Sequence, residues 1–554
     1  MPSSLEELSR YRITSLRCLT LSTATSPQPG PLWMTKMIPT STTSNEVDVT
    51  PDCAGIARDG RYQSLTSSQT LAAGTSAKTL FIEAGPGSGK TTVAAHRFGA
   101  IRYSSESVYD NRAVVAVSFT RAATYELRRR VRRLWGPSAL QWPHKIVTLD
   151  TIICDLVSYL LQQQVIRWPN GHVNLKVEDS WKVLAATFYQ RGTYRMALSD
   201  GTVRVQVGFA RTSAQRVEPK FVKKMIELGT CTHEDVRDVL ELALSLPLVR
   251  EALSARIRNS MRAIIVDEIF DANDLDLEVI ELAIRAGVSV SVVGDPWQAL
   301  YVFRGARPED VPALAARTSM SQVVLEDSFR WQTTDQRQLA DDLRAGRGVI
   351  LDKFQDGGIA AGIDVALGVL WKDVWEVGSH ILPLAFHAPK GSSEEAAATL
   401  LLNHVVRGVM GEDATYLGDA LTTLAIADPL IPRELEPNLQ DILDTLRQSG
   451  AKSANHAYDQ LVATIREVSP REMRPAHGAY TKRLKAIQAR ILHDRRPVLG
   501  ITIHQAKGRE WGTVGVRVSQ SARDALLSGL NVNEDLHRKL YVACTRARRR
   551  TVEV

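Results

Sequence analysis

Cysteine is scarce in this chain and nowhere clustered. The five residues, Cys18, Cys53, Cys154, Cys231 and Cys544, are spread over 554 positions. They form no CxxC pair and no Cys/His spacing of the zinc type. That excludes a disulfide framework and a cysteine-held iron–sulfur cluster, and it fits a reducing cytoplasm. Long apolar runs are also missing. The longest, such as Ala113–Val117 and Ala263–Val266, fall far short of the ~18 residues a bilayer crossing needs, so no membrane span is expected. The charge imbalance is small: 68 Lys and Arg against 61 Asp and Glu leave +7. A polyanionic partner is permitted by that balance and not required. No short-period repeat is present. At 44% hydrophobic and 23% charged residues, the composition is that of an ordinary globular chain. At roughly 150 residues per domain, the length allows three or four domains.

Residues 1–60 differ from the rest. Ser, Thr and Pro crowd Ser22–Pro31 and Pro39–Ser44, and the stretch is expected to be a disordered tail. Glu6 and Glu7 lie early and no apolar core follows them, which argues against a secretory signal. Met34 and Met37 leave a downstream start open. From about Leu65, short β-rich runs recur at Thr79–Glu83, Ala113–Phe119, Ala263–Val266 and Val288–Val293, each followed by a turn and a helical stretch. This alternation predicts a doubly wound parallel sheet. Residues 61–153 and 256–320 are read as the first α/β domain, interrupted by a mainly helical insertion at 154–255. A second α/β domain is read over 321–428 and 497–554, with a short helical insertion at 429–496. The expected fold class is α/β: two doubly wound parallel-sheet domains, each with a mainly helical insertion.

The first firm chemistry is Ala84-Gly85-Pro86-Gly87-Ser88-Gly89-Lys90-Thr91, directly after the apolar run Leu80–Ile82. A glycine-rich loop lets backbone N–H groups converge on phosphate oxygens, and the helix that follows adds its partial positive charge. Lys90 is placed to reach the β- and γ-phosphates of ATP, and the Thr91 hydroxyl to ligate Mg²⁺. Ala84 stands where glycine is usual. A second acidic strand end is needed to hold the metal through water, and Ile264-Ile265-Val266-Asp267-Glu268 supplies it. Asp267 is the expected metal residue and Glu268 the expected general base for the attacking water.

Further segments follow in a fixed order: Leu65-Thr66-Ser67-Ser68-Gln69, Ser118-Phe119-Thr120-Arg121, Thr148-Leu149-Asp150-Thr151 and Asp267-Glu268-Ile269-Phe270-Asp271. Gly294-Asp295-Pro296-Trp297-Gln298, running on to Tyr301-Val302-Phe303-Arg304-Gly305-Ala306, is the most diagnostic. Ser328-Phe329-Arg330, Thr502-Ile503-His504-Gln505-Ala506-Lys507-Gly508-Arg509-Glu510 and Leu540-Tyr541-Val542-Ala543-Cys544-Thr545-Arg546-Ala547 complete the set. Over about 65–554 the chain resembles the UvrD/Rep/PcrA-like superfamily 1 DNA helicases.

The resemblance implies two RecA-like domains with ATP and Mg²⁺ in the cleft between them. By this likeness Gln69 reads adenine, Phe329 stacks on it, Gln298 senses the γ-phosphate, and Arg330 and Arg546 clamp it. Thr92 and Glu510 join the nucleotide-binding set. Phe119, Thr120, Thr148, Tyr301, Phe303, Thr502 and His504 fall at positions that contact single-stranded DNA. Aromatic stacking suits sequence-blind movement along a strand. Taken alone, these aromatics and His504 read equally as packing residues. The run Arg128-Arg129-Arg130-Val131-Arg132-Arg133 is either a solvated helix face or a phosphate-contacting patch.

Three departures stand out. Phe270 replaces a glutamine usual in the acidic motif and cannot form its hydrogen bond. Asp150 replaces a common histidine and should repel DNA unless paired. The insertion at 429–496 is far shorter than its counterpart in large relatives, which favours translocation over processive unwinding. The eight residues after Arg546 leave no room for the nuclease module some relatives carry, so any cutting is expected from a partner.

The leading expectation is a cytoplasmic, ATP-dependent, 3′→5′ single-stranded DNA translocase or helicase acting on single-stranded or partly duplex DNA in repair, replication or recombination. A nuclease or repair protein is the expected partner. The alternatives are an ATPase subunit resembling the helicase-like component of Gabija, and a nucleotide-gated DNA sensor with weak hydrolysis.

Overall fold

A computed structural model describes residues 65–554, apart from 105–109, 182–191, 210–217, 355–361, 429, 449–451, 477 and 495. The expected tail at 1–60 lies outside the described residues.

The first half is built on strands β1 (Thr79–Ala84), β2 (Ala113–Ser118) and β3 (Lys145–Thr148). An inserted region then carries β4 (Lys176–Glu178), β5 (Gly192–Ser199), β6 (Thr202–Phe209) and β7 (Thr230–Thr232). The chain returns with β8 (Met261–Asp267), β9 (Ser289–Gly294) and β10 (Ser321–Leu325). These make a six-stranded sheet in the order β10-β1-β9-β8-β2-β3, with every pairing parallel. Alternate residues feed different cores. Val115 and Val117 of β2 and Ile264 and Val266 of β8 enter one cluster, while Val114, Ala116, Ala263 and Ile265 enter another. Both faces are therefore covered, which is why these strands read as continuous apolar runs.

The structure corrects the domain boundary at 321. Ser321–Leu325 pairs in parallel with β1, from Leu80↔Ser321 to Ala84↔Leu325, and so closes the first sheet instead of opening the second. The expectation of a mainly helical insertion at 154–255 also needs amending. Helices Pro219–Glu227, His233–Leu244 and Pro247–Ser260 are present, but β4 pairs with β7, and β5 with β6 as an antiparallel hairpin. Asp200 and Gly201 turn that hairpin with φ of 51° and 70°. Positive φ at both turn residues is what Asp-Gly favours.

The second half holds β11 (Val365–Gly368), β12 (Ile381–Pro383), β13 (Val498–Thr502), β14 (Trp511–Val516) and β15 (Ala547–Glu553), in the parallel order β12-β13-β11-β14-β15. Between β12 and β13 the chain is helical, from Ser393–Met410 through Gly478–Ile491. This block includes the expected insertion at 429–496. Its Leu443, Leu461 and Ile487 share one continuous core with Leu367, Leu382 and Ile501 of the sheet, so the stretch is packed onto the second half. Among the described residues, no helix is long and apolar enough to cross a membrane.

Candidate functional site

In a parallel sheet, the loops after adjacent strands emerge side by side. Here β1, β9 and β8 are neighbours. Their carboxyl ends carry the phosphate loop, Asp295 with Gln298, and Asp267 with Glu268. Gly87 and Gly89 take φ of 75° and 82°, a region glycine enters without steric cost. The helix Lys90–Arg102 starts directly after them. Lys90 Nζ is buried and donates to the Ala84 and Gly85 carbonyls at 3.1 and 3.2 Å, and burial pulls its pKa down. Thr91 Oγ1 donates to Asp267 Oδ2 at 3.3 Å, which brings together the two expected metal residues. Burial, with Glu268 alongside, pushes the Asp267 carboxyl up to about 7. Glu268 sits at φ 61°, a left-handed conformation that costs a non-glycine residue energy. Burial opposes its charge as well, but Lys507 and Lys90 outweigh that and hold its pKa below the usual carboxylate range.

The second half reaches over this edge. Ser328 Oγ donates to the Pro86 carbonyl at 2.7 Å, and the Phe329 N–H to the Gly87 carbonyl at 3.0 Å. A Cβ on Gly87 would lie 2.6 Å from Arg330 Cβ, so only glycine admits this approach. Arg330 donates through Nε to Glu510 Oε2 at 3.1 Å and through Nη1 to the Thr545 carbonyl at 2.8 Å. Arg546 Nη2 donates to Gln298 Oε1 at 3.3 Å. Burial and the nearby Arg330 push Arg546 down to about 9, and its Nη1 is buried without a hydrogen-bond partner. Phe329 remains half exposed. Gln69 is buried, its Nε2 donating to the Ser88 carbonyl at 2.8 Å and its Oε1 accepting from the Thr66 N–H. Thr92 Oγ1 accepts from Arg130 Nη1.

This donor set fits a nucleoside triphosphate with a divalent cation. It includes an Arg546 guanidinium nitrogen that is buried without a hydrogen-bond partner and a Lys90 amine that donates to the Ala84 and Gly85 carbonyls. Among the described residues, no group of three or more His, Cys, Asp or Glu is placed to hold a metal. A Mg²⁺ at Thr91 and Asp267 would therefore draw its other ligands from water and phosphate.

The expected strand contacts fall into two groups. Tyr301, Phe303 and His504 come together across the two halves, with Phe303 and His504 rings 5.2 Å apart and edge-on, and Tyr301 about 6 Å from each. Phe303 is 64% exposed. Burial and Lys539 lower the His504 pKa, favouring the neutral ring. Phe119, Thr120 and Thr148 lie at the adjoining ends of β2 and β3, where Ser118 is in register with Thr148. Thr120 Oγ1 caps the helix Arg121–Trp135. Thr502 is buried, its N–H donating to Gln505 Oε1 at 3.4 Å, and offers no open surface.

The departures have structural counterparts. Phe270 is buried against Phe81, with ring centroids 6.1 Å apart, in space left by Gly294, where a Cβ would lie 2.7 Å from the ring. The neighbouring Asp271 makes a cross-cleft contact. Lys507 Nζ reaches Asp271 Oδ2 at 2.5 Å and Glu268 Oε2 at 3.5 Å. Both residues stand inside the quoted motifs, but no spacing marks them as partners. Asp150 is paired: Arg237 Nη1 donates to it at 2.7 Å while Nη2 holds Asp276 and Asn273. In the arginine run, Arg129 and Arg130 pair with Glu126, and Arg128 donates to the Ile146 carbonyl, so much of that charge is used within the fold.

Fold and edge together define a phosphate-loop α/β protein whose loop faces a second parallel-sheet half. Residues 65–317 match the UvrD/REP helicase N-terminal domain. ATP-dependent DNA helicase Rep of Escherichia coli K12 is 24% identical over 268 residues, covering 45% of this chain and 38% of Rep. DNA helicase II of the same organism is 27% identical over 263 residues, covering 45% of this chain and 36% of that protein. ATP-dependent DNA helicase PcrA of Leuconostoc citreum is 24% identical over 266 residues, covering 45% of this chain and 34% of that protein. The solved structure of unliganded Pif1 from Bacteroides sp. shares 14% identity over 57% of this chain and 56% of that one, with a TM-score of 0.27. Residues 65–317 are thus similar to a UvrD-like helicase N-terminal domain, with distant homology to the Rep, UvrD and PcrA helicases. The matches span less than two fifths of those relatives' own lengths.

Proposed function

We propose that this protein is an ATP-dependent, 3′→5′ single-stranded DNA translocase with helicase activity. The observation that carries this reading is the convergence of Lys90, Thr91, Asp267, Glu268 and Gln298 from one half with Arg330 and Arg546 from the other. Lys90 and the loop N–H groups bind the phosphates. Glu268, kept ionised by Lys507 and Lys90, accepts a proton from the attacking water. Thr91 and Asp267 would hold a Mg²⁺, which would supply positive charge against the charge developing on the phosphoryl oxygens. Arg330 and Arg546 do the same from the opposite wall, so the nucleotide state sets how tightly the halves close. Tyr301, Phe303 and His504 straddle the same junction, and closure there moves a stacked strand relative to Phe119, Thr120 and Thr148. In this reading, residues 61–153 and 256–325 form the first RecA-like domain, and residues 326–554, less the insertion 429–496, form the second. The substrate is single-stranded or partly duplex DNA, with a separate nuclease or repair protein as partner.

Displacement of streptavidin from oligonucleotides biotinylated at either end tests the direction of movement. ATP-dependent release from the 5′ end alone is expected. Release from the 3′ end alone would reverse the direction, and release from neither would favour a Gabija-type ATPase subunit or a nucleotide-gated sensor.

A further inference from the structure

The cleft holds a third guanidinium from the second half. Arg344 ends the helix Thr334–Arg344, and its side chain crosses to the first half. Nη2 donates to Glu83 Oε1 at 3.1 Å and Nη1 to Asp295 Oδ1 at 3.0 Å, with the Tyr541 hydroxyl 3.4 Å away. Glu83 lies in β1 two residues before Gly85, and Asp295 directly follows β9. A Cβ on Gly85 would stand 3.7 Å from Arg344 Nη1, so the guanidinium rests against the start of the phosphate loop.

The Asp295 side chain is fully buried. Its Oδ1 also accepts the Trp297 N–H, and its Oδ2 accepts from Gln298 Nε2 at 2.7 Å. Gln298 Oε1 in turn accepts from Arg546 Nη2. One hydrogen-bonded chain therefore leaves the second half at Arg344, passes through Asp295 and Gln298, and returns to the second half at Arg546.

We propose that Arg344 is a positioning residue: through Asp295 it fixes the carboxamide of Gln298, and through Glu83 it ties the second half to the foot of the phosphate loop. The proposal rests on the reading of this cleft as an ATP site. A carboxylate held by a guanidinium on one oxygen and an amide on the other cannot rotate without breaking a buried hydrogen bond. Without Arg344, Asp295 keeps only the Trp297 N–H on Oδ1 and is free to turn, taking the Gln298 amide with it. Glu83 touches Arg344 and not Asp295, so it governs the approach of the halves and not the amide's orientation. Burial opposes the charge on Arg344, yet Asp295 and Tyr541 outweigh it and hold the pKa above the ordinary guanidinium value.

The test is a double-mutant cycle on the full chain, reading kcat and KM for ATP with single-stranded DNA. Arg344→Met is expected to lower kcat about tenfold in the wild-type background, and less than about twofold once Gln298 is already Ala. Equal losses in both backgrounds would overturn the positioning role. Glu83→Gln, a milder change that serves if Arg344→Met does not fold, is expected to raise KM several-fold with a smaller change in kcat. An unchanged KM would overturn the tie to the phosphate loop. If the wild type hydrolyses no ATP, the ATPase reading fails by itself. The proposal is then decided by energy transfer between labels at Tyr125 and Leu370 without nucleotide. A longer distance in Glu83→Gln or Arg344→Met supports the tie, and the wild-type distance in both overturns it.

Discussion

Across the cleft, the first half presents Glu83, Asp267, Glu268, Asp271 and Asp295, and the second presents Arg330, Arg344, Lys507 and Arg546. Neither wall is comfortable alone, because a buried charge without a partner costs several kcal/mol. Some pairs resolve the problem. Burial opposes the charge on Lys507, but Asp271 and Glu268 outweigh it and raise its pKa. Other groups stay strained after the halves meet: burial pushes Asp267 up to about 7 and Arg546 down to about 9. The difference teaches where a ligand belongs. The satisfied pairs hold the walls together, and the unsatisfied groups converge where a triphosphate and its cation would sit.

The largest expected effect comes from the wall without the phosphate loop. Arg546→Ala is expected to slow ATP hydrolysis by about 10³-fold while a fluorescent ATP analogue still binds the first half. Hydrolysis at the wild-type rate would mean that the two walls do not act on one phosphate.

Lys507→Met leaves Asp271 buried and unpaired, and is expected to cost about 3–5 kcal/mol in urea unfolding. Adding Asp271→Asn should recover part of that loss. A neutral Lys507→Met would break the claim that satisfied pairs hold the halves.

Phe303→Ala sharpens the comparison differently, since Phe303 sits among the Tyr301 and His504 rings and the Arg304 guanidinium. Its expected cost is about 1–3 kcal/mol of single-stranded DNA affinity, measured by fluorescence anisotropy, with hydrolysis in the absence of DNA unaffected.

The smallest effect lies outside the cleft, where like charges adjoin. Burial, followed by Glu234, Asp235 and Glu241, pushes Asp238 up to about 6. The stability this carboxyl contributes is present below its unfolded pKa of about 4 and is lost as pH rises through about 6. Asp238→Asn is therefore expected to stabilise the protein by about 1 kcal/mol at neutral pH, after allowing for solvent screening, and to change little near pH 4. Denaturation midpoints at the two pH values would show it.

The phosphate loop, the Asp267-Glu268 strand end and the segments around Gln298, Arg330 and Arg546 were legible as sequence, because each packs its chemistry into a few adjacent residues. The parallel sheets were legible from apolar runs for the same reason. What escaped depends on contacts distant in the chain. Ser321–Leu325 has a strand's composition, and nothing local shows that β1 is its partner. The Asp200-Gly201 hairpin did carry a local signal, alternating residues around a turn pair, which the helical character of its surroundings obscured. Phe270 could be seen as a departure, but its packing on Phe81 and Gly294 could not. The pairing of Asp150 needs Arg237 from the inserted region. Arg344 is one arginine among the polar residues of a helix, and only the meeting of the halves gives it partners.

Steady-state ATP hydrolysis of the full chain, with and without single-stranded DNA, tests the central claim most directly when Lys90→Ala and Glu268→Gln are run beside it. The account predicts hydrolysis stimulated by DNA and lost in both variants. Hydrolysis that ignores DNA, or that survives Lys90→Ala, would contradict it.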